Sequence, residues 1–127
     1  MNTKKNATLQ DLVNEMMNQR TPTKVCLCGS TRFSEAFKQA NLSETLKGNI
    51  VLSIGCDTKS DEELAAAGIV FDEKLKKKLD VLHLHKIWMA DVVLILNVDG
   101  YIGESTRREI EFATRMGKTI RYLEPLQ

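Results

Sequence analysis

The sequence has no apolar run approaching the ~20 residues that span a bilayer, and its first ten residues, "MNTKKNATLQ", contain no apolar stretch of the kind a secretory signal requires. Cysteine is scarce and odd in number: Cys26, Cys28 and Cys56 are the only three. That count argues against a disulfide framework. Charge is nearly balanced, with 18 basic and 17 acidic side chains and a formal net charge of +1, so nothing electrostatic points to nucleic acid or an anionic membrane as partner. Proline occurs twice, and no low-complexity segment, internal repeat or linker divides the chain. A soluble, cytoplasmic, single-domain protein is the expectation.

What is present fits that expectation. At 127 residues, 43% hydrophobic and 28% charged, the chain can bury roughly two thirds of its unfolded surface. Short runs that are apolar on both faces predict strands at residues 24–28, 50–54, 92–97 and 118–123. Helical patterns lie between them: residues 30–48, a short segment at 60–68, 72–89 with Leu75, Leu79, Leu82 and Lys86 on one stripe, and 105–116. A further amphipathic helix, Thr8 to Gln19, precedes the first strand and opens on a Thr8/Asp11 capping box. Alternating strands and helices predict a three-layer, Rossmann-like (flavodoxin-like) α/β sandwich around a parallel sheet of four or five strands. Ligands of such sheets sit beyond the carboxyl ends of the strands, which directs interest to the loops "GSTRF", "GCDTKS" and "NVDGYIGEST".

In "CGSTRF" a strand ends in Gly29 and Ser30-Thr31-Arg32 follow at a helix start. Free backbone N–H groups and a forked guanidinium make this an anion site; capping by Ser30 or Thr31 is the plainer alternative. It is not a Walker loop, since no Gly-Lys-Ser/Thr follows. In "GYIGESTRREIEF", Thr106-x-x-Glu109 reads as a capping box. Arg107 and Arg108, however, occupy a first turn that disfavours cations. They suit a bound anion, or a pairing with Glu104 or a partner subunit. His83 and His85 share the long helix; His83 is a candidate acid, base or sugar contact, and Tyr101 or Trp88 could stack on a planar base. Cys26 and Cys28 lack metal-ligand spacing and read as small buried hydrophobes. No metal is expected.

Taken together, "KVCLCGSTR", "LHLHKIWMADVVLIL" and "GYIGESTRREIEFATRMGKTI" resemble, in order and spacing, the nucleoside 2-deoxyribosyltransferase superfamily, including its 2'-deoxynucleoside 5'-monophosphate N-glycosidases. The match covers residues 23–124 and leaves residues 1–20 as an N-terminal helical extension. The resemblance implies cleavage or transfer of the N-glycosidic bond of a (deoxy)nucleoside or its monophosphate. It implies a glutamate nucleophile nine residues before the lysine of the next strand, which is Glu109 counted from Lys118. It also implies substrate contacts from Gly29, Ser30, Thr31, Arg32, Tyr101, Gly103 and Ser105, no organic or metal cofactor, and a homodimer or larger assembly. Two positions depart from the pattern. Cys26 stands where the family commonly has a tyrosine, and His83 where it has an aspartate, so Tyr101, His83 and Asp80 are left to rebuild those roles. A nucleotide-binding module without catalysis, or a phage or bacterial accessory protein, is the alternative.

Overall fold

The computed structural model describes residues 6–54 and 61–126; the loop "GCDTKS" and the Ser60 of the presumed cap at 60–63 lie outside the described residues. Four strands form one sheet: β1 (Lys24–Cys28), β2 (Ile50–Leu52), β3 (Val92–Ile95) and β4 (Thr119–Tyr122). Their order is β2-β1-β3-β4, and every pairing is parallel. The helices are α1 (Leu9–Asn18), α2 (Ser34–Leu46), α3 (Asp61–Ala66), α4 (Glu73–Met89) and α5 (Glu104–Arg115). The chain is therefore the α/β sandwich that its alternating pattern predicts.

Strand alternation divides the core into two layers. Val25 and Leu27 point toward α2, where they meet Phe37 and Ala40 together with Leu94 and Leu96. Cys26 and Cys28 point the other way, toward Ile87 at the end of α4 and Ala113 of α5, with Val93 and Ile95 beside them. The predicted stripe of Leu75, Leu79 and Leu82 is not the most buried face of α4. His83 and Ile87 are buried, while Leu82 stays half exposed.

Three of the expected strands are shorter than predicted, β4 losing Lys118 and Leu123 at its ends. β2 stops at Leu52 and β3 at Ile95. β2 is an edge strand paired only with β1, and its first residue, Ile50, is exposed. After β3, Asn97 leaves the ladder, but its side chain continues it in another form. Its amide donates to the Glu124 carbonyl at 2.9 Å and accepts from the Glu124 N–H at 2.9 Å. Helix α2 begins at Ser34 rather than Ser30, and ends before Gly48, whose φ of 85° a side chain would resist.

The capping box of α1 is present in full, with Thr8 and Asp11 exchanging bonds of 3.0 and 3.1 Å. Yet none of its residues is buried, and Leu9, Leu12, Met16 and Met17 face outward. Its helix comes from local chemistry, not from packing against the described residues.

One buried charge ties the layers together. Glu44 of α2, 2% exposed, accepts two bonds from Arg121 of β4 at 3.0 and 3.1 Å. Lys47 and Asn49 complete its shell at 3.1 and 3.0 Å. The forked Arg121 pair, together with Lys47 and Asn49, holds the Glu44 carboxyl down to about 2. A depressed carboxylate contributes stability that is fully present above its ordinary value of 4.5 and is lost as pH falls through about 2. Arg121→Ala should therefore cost about 2–3 kcal/mol at neutral pH, below the usual penalty for breaking a buried pair because the arginine is partly solvated. Urea unfolding at pH 7 and pH 3 checks this. The wild type should lose more stability between those pH values than the variant does.

Candidate functional site

The site begins where β1 ends. The order β2-β1-β3-β4 makes the chain switch direction between β1 and β3, and a crevice opens at such a point beyond the strand ends. Pairing runs on briefly past the strands, with the Leu96 N–H donating to the Cys28 carbonyl at 2.8 Å. Gly29 lies against this joint. A Cβ there would stand 3.1 Å from Leu96 Cβ and 3.3 Å from the Leu96 carbonyl oxygen. Close packing against Leu96 favours glycine here, independent of any ligand.

Ser30 and Thr31 do not cap α2. The Phe33 N–H donates to the Ser30 carbonyl at 3.0 Å, making a turn, and Ser30 Oγ accepts from Arg32 N at 3.3 Å. Phe33 occupies the cap position without a side-chain bond. The "GSTR" segment is thus a loop ahead of the helix. Arg32 turns over the Tyr101 ring, with its guanidinium carbon 4.5 Å from the ring centre and Nη2 3.5 Å from the hydroxyl. Phe33 meets the same ring edge-on at 5.9 Å.

Tyr101 follows a tight turn in which Asp99 and Gly100 both take positive φ, 54° and 79°. The Asp99 N–H is held by Glu124 at 2.8 Å. The tyrosine lies back over Gly103, whose added Cβ would meet its hydroxyl at 3.2 Å.

Gly103 is also the cap of α5, which starts at Glu104. The expected capping box at Thr106 and Glu109 is absent, because the helix begins three residues too early for it. Thr106 is buried inside the first turn, and Glu109 lies in the second. Arg107 and Arg108 have partners within the chain. Arg107 donates to the Ile102 carbonyl at 3.3 Å, and Arg108 reaches Ser105 at 3.2 Å and Asp80 at 3.8 Å. Their first-turn position needs no bound anion to explain it.

Freed of capping, Glu109 joins a buried cluster. Its carboxylate is 4.0 Å from His83 Nε2. The same nitrogen is 3.3 Å from Cys28 Sγ and 3.8 Å from Cys26 Sγ. His83 Nδ1 has no hydrogen-bond partner among the described residues. Burial raises Glu109 above 4.5, against the pull of the imidazole. Burial is also the largest influence on His83 and acts downward, but Cys26 and Glu109 together leave it raised. The two thiols divide unequally. The bond from Cys28, aided by His83, lowers Cys26 to about 6, while the bond with Cys26 and burial raise Cys28.

A cleft of about 640 Å³ opens over this cluster. Gly29, Ser30, Thr31, His83, Tyr101, Gly103, Ser105 and Glu109 all line it, so residues from three separated sequence segments meet in one place. Arg32 stands outside the lining, engaged by Tyr101. Leu79 and Leu82 supply apolar wall, and Lys76 and Lys86 supply positive charge. Lys76 pairs with Asp80 at 3.1 Å and Lys86 donates to the Ser53 carbonyl at 2.6 Å. A neighbouring groove of about 630 Å³ between α4 and α5 shares Glu109 but lacks the "GSTR" loop. Trp88 belongs to neither space; it is half exposed beneath Lys118, 5.4 Å from its ring centre. His85 is exposed.

Sequence reasoning read the cysteines as packing and passed over Asn97. The cysteine signal was available, because residues two apart in a strand share a face. The Asn97 bond joins positions 27 residues apart and leaves no local trace. No protein-family model matches this chain, and a search of curated proteins gives no match.

Gly29→Ala should destabilise the fold by about 1–3 kcal/mol, since its methyl must displace Leu96 or its carbonyl. Thermal or urea unfolding measures the loss. An unchanged midpoint would show that β3 can yield there.

Proposed function

We propose that the protein cleaves or transfers the N-glycosidic bond of a (deoxy)nucleoside or nucleoside monophosphate, with Glu109 as nucleophile. The observation that carries this reading is the Glu109 carboxylate, which lines the same cleft as the Gly29–Thr31 loop and has no capping duty. A carboxylate oxygen would bond to the anomeric carbon as the C–N bond breaks, and the base would leave with that electron pair and take up a proton. Water or an acceptor base would then displace the glutamate. The transition state carries positive charge on the sugar, which an ionised Glu109 stabilises.

His83 supports the scheme in two ways. A raised imidazole stays protonated further toward neutral pH and can supply a proton to the leaving base. Its charge also favours the ionised form of the partly buried Glu109, against the effect of burial. Ser30, Thr31 and the loop amides would hold a phosphate or sugar hydroxyl. Tyr101, braced by Arg32 and Phe33, presents an aromatic surface for the base. Gly103 and Ser105 leave room beside it.

A nucleotide-binding module without catalysis is the second reading. Cys26 and His83, standing where the resembled family has a tyrosine and an aspartate, favour it. The exposed apolar stripe of α1 and half-exposed Trp88 support a homodimer or larger assembly as partner. On this reading, Leu12→Glu with Met16→Glu should lower the mass seen by light scattering.

Glu109→Gln tests the catalytic reading. It should reduce turnover of deoxynucleosides or their monophosphates by about 10³-fold or more while ligand still binds. Equal turnover by the variant would remove Glu109 from the chemistry. The pH profile gives an independent check. The nucleophile must be ionised, so the rate should fall as pH drops through a raised carboxyl pKa. Its acid limb should therefore lie above 4.5.

A further inference from the structure

The cluster beneath the cleft has a composition that glycosyl chemistry does not require. Two thiols, one imidazole and one carboxyl converge from β1, α4 and α5. Cys26 and Cys28 are completely buried, and His83 is 6% exposed. For stability alone the arrangement is poor. His83 leaves Nδ1 unpaired among the described residues, and apolar side chains of similar volume would fill the same space without that cost.

The donor atoms are spaced as metal ligands are. Around a tetrahedral zinc ion with Zn–S near 2.3 Å and Zn–N near 2.0–2.1 Å, neighbouring ligand atoms stand about 3.5–3.8 Å apart. Here His83 Nε2 lies 3.3 and 3.8 Å from the two sulfurs. All three atoms fall within 4.8 Å of one another. The nearest Glu109 oxygen is 4.0 Å from the same nitrogen, within reach of a fourth position by a side-chain adjustment. Sulfur, imidazole and carboxylate together suit zinc-class divalent ions rather than calcium or magnesium.

We infer that Cys26 Sγ, Cys28 Sγ, His83 Nε2 and the Glu109 carboxylate form a binding site for a zinc-class divalent cation. Two thiolates and a carboxylate offset the ion's charge, and the protons they release go to solvent. Binding at Nε2 fixes the imidazole proton on Nδ1. The ion reaches the site through the cleft, which His83 and Glu109 both line. The inference goes beyond the glycosidic reading and does not depend on it. A carboxylate bound to metal is not free to attack a sugar, so the two roles of Glu109 exclude each other at any one moment.

Co(II) titration of the reduced full-length protein tests the site without reference to turnover. One equivalent should produce thiolate-to-cobalt charge-transfer absorption with the intense d–d bands of tetrahedral Co(II), and Zn(II) should abolish both. The bands should be lost in Cys26→Ala/Cys28→Ala and kept in Cys56→Ser. Absence of the charge-transfer band in the wild type overturns the proposal, as does a band that survives the double substitution or vanishes with Cys56. X-ray absorption on the zinc-loaded wild type needs no variant to fold. It should find two sulfur and two nitrogen or oxygen neighbours, with Zn–S at about 2.3 Å. A sulfur-free or all-sulfur shell equally overturns the assignment.

Discussion

The structure depends on β1 being sealed from water on both faces and paired on both edges. Val25, Cys26, Leu27 and Cys28 are all fully buried, with β2 on one side and β3 on the other. Its neighbour β3 shares the pattern, lying between β1 and β4 with Val93, Leu94 and Ile95 buried. The backbone groups of β1 pair with β3 from Val25 to Cys28 and with β2 as far as Cys26, and the Lys24 N–H donates to the Asp91 carboxylate, which together fix its register. The register then decides which side chains face which layer. It sends Val25 and Leu27 into the apolar layer under α2, and Cys26 and Cys28 into the layer that holds His83 and Glu109. A one-residue slip would reverse both assignments. The contents of the candidate site are therefore a consequence of how the central strand is paired.

Buried Glu44 and partly buried Glu109 show how differently the same group can be treated. Glu44 is surrounded by donors: a bidentate arginine, a lysine and an amide. Its charge is satisfied, its pKa is depressed, and its role is to fasten α2 to the far edge of the sheet. Glu109 has no such shell. Its neighbours are an imidazole and thiols that titrate themselves, and burial pushes its pKa up. Satisfied charges serve architecture, whereas groups that perturb one another's protonation are the ones available for chemistry. On that criterion the Glu44 pair is a strut, and the Glu109 cluster is where the proposed chemistry rests.

Much of this was legible in the sequence, for reasons that also define where reading failed. The strands were visible because burial on two faces demands continuous apolar runs. Their ends were not, since β2 loses its partner on one side and β3 gives way to the side chain of Asn97. Helix starts failed where a polar residue had two possible local uses. Ser30 and Thr31 belong to a turn that precedes α2, and Thr106 is an interior residue of α5 rather than its cap. Both errors came from assigning caps by residue type alone. The residues of the cleft were found from three separated motifs, but the link between Arg108 and Asp80, 28 positions apart, required the packing of α4 on α5. Packing of α4 on β1 brings His83 to the cysteines.

The departures from the resembling family acquire a physical sense here. A tyrosine at position 26 would place a hydroxyl near the helical glutamate, and an aspartate at position 83 would add a second carboxyl. This chain has a thiol and an imidazole at those places, and both act on Glu109. The imidazole at 4.0 Å favours the ionised form, as an orienting hydroxyl would. A second carboxylate at that distance would instead oppose it. An imidazole at 83 thus gives attraction where a carboxylate would give repulsion around the same oxygen atoms, and the thiols beside it are soft ligands that an aspartate and a tyrosine would not supply. The two proposed roles call on different protonation states of this cluster: a protonated imidazole supports an ionised Glu109 facing a sugar, whereas a neutral imidazole with thiolates is the donor set for an ion.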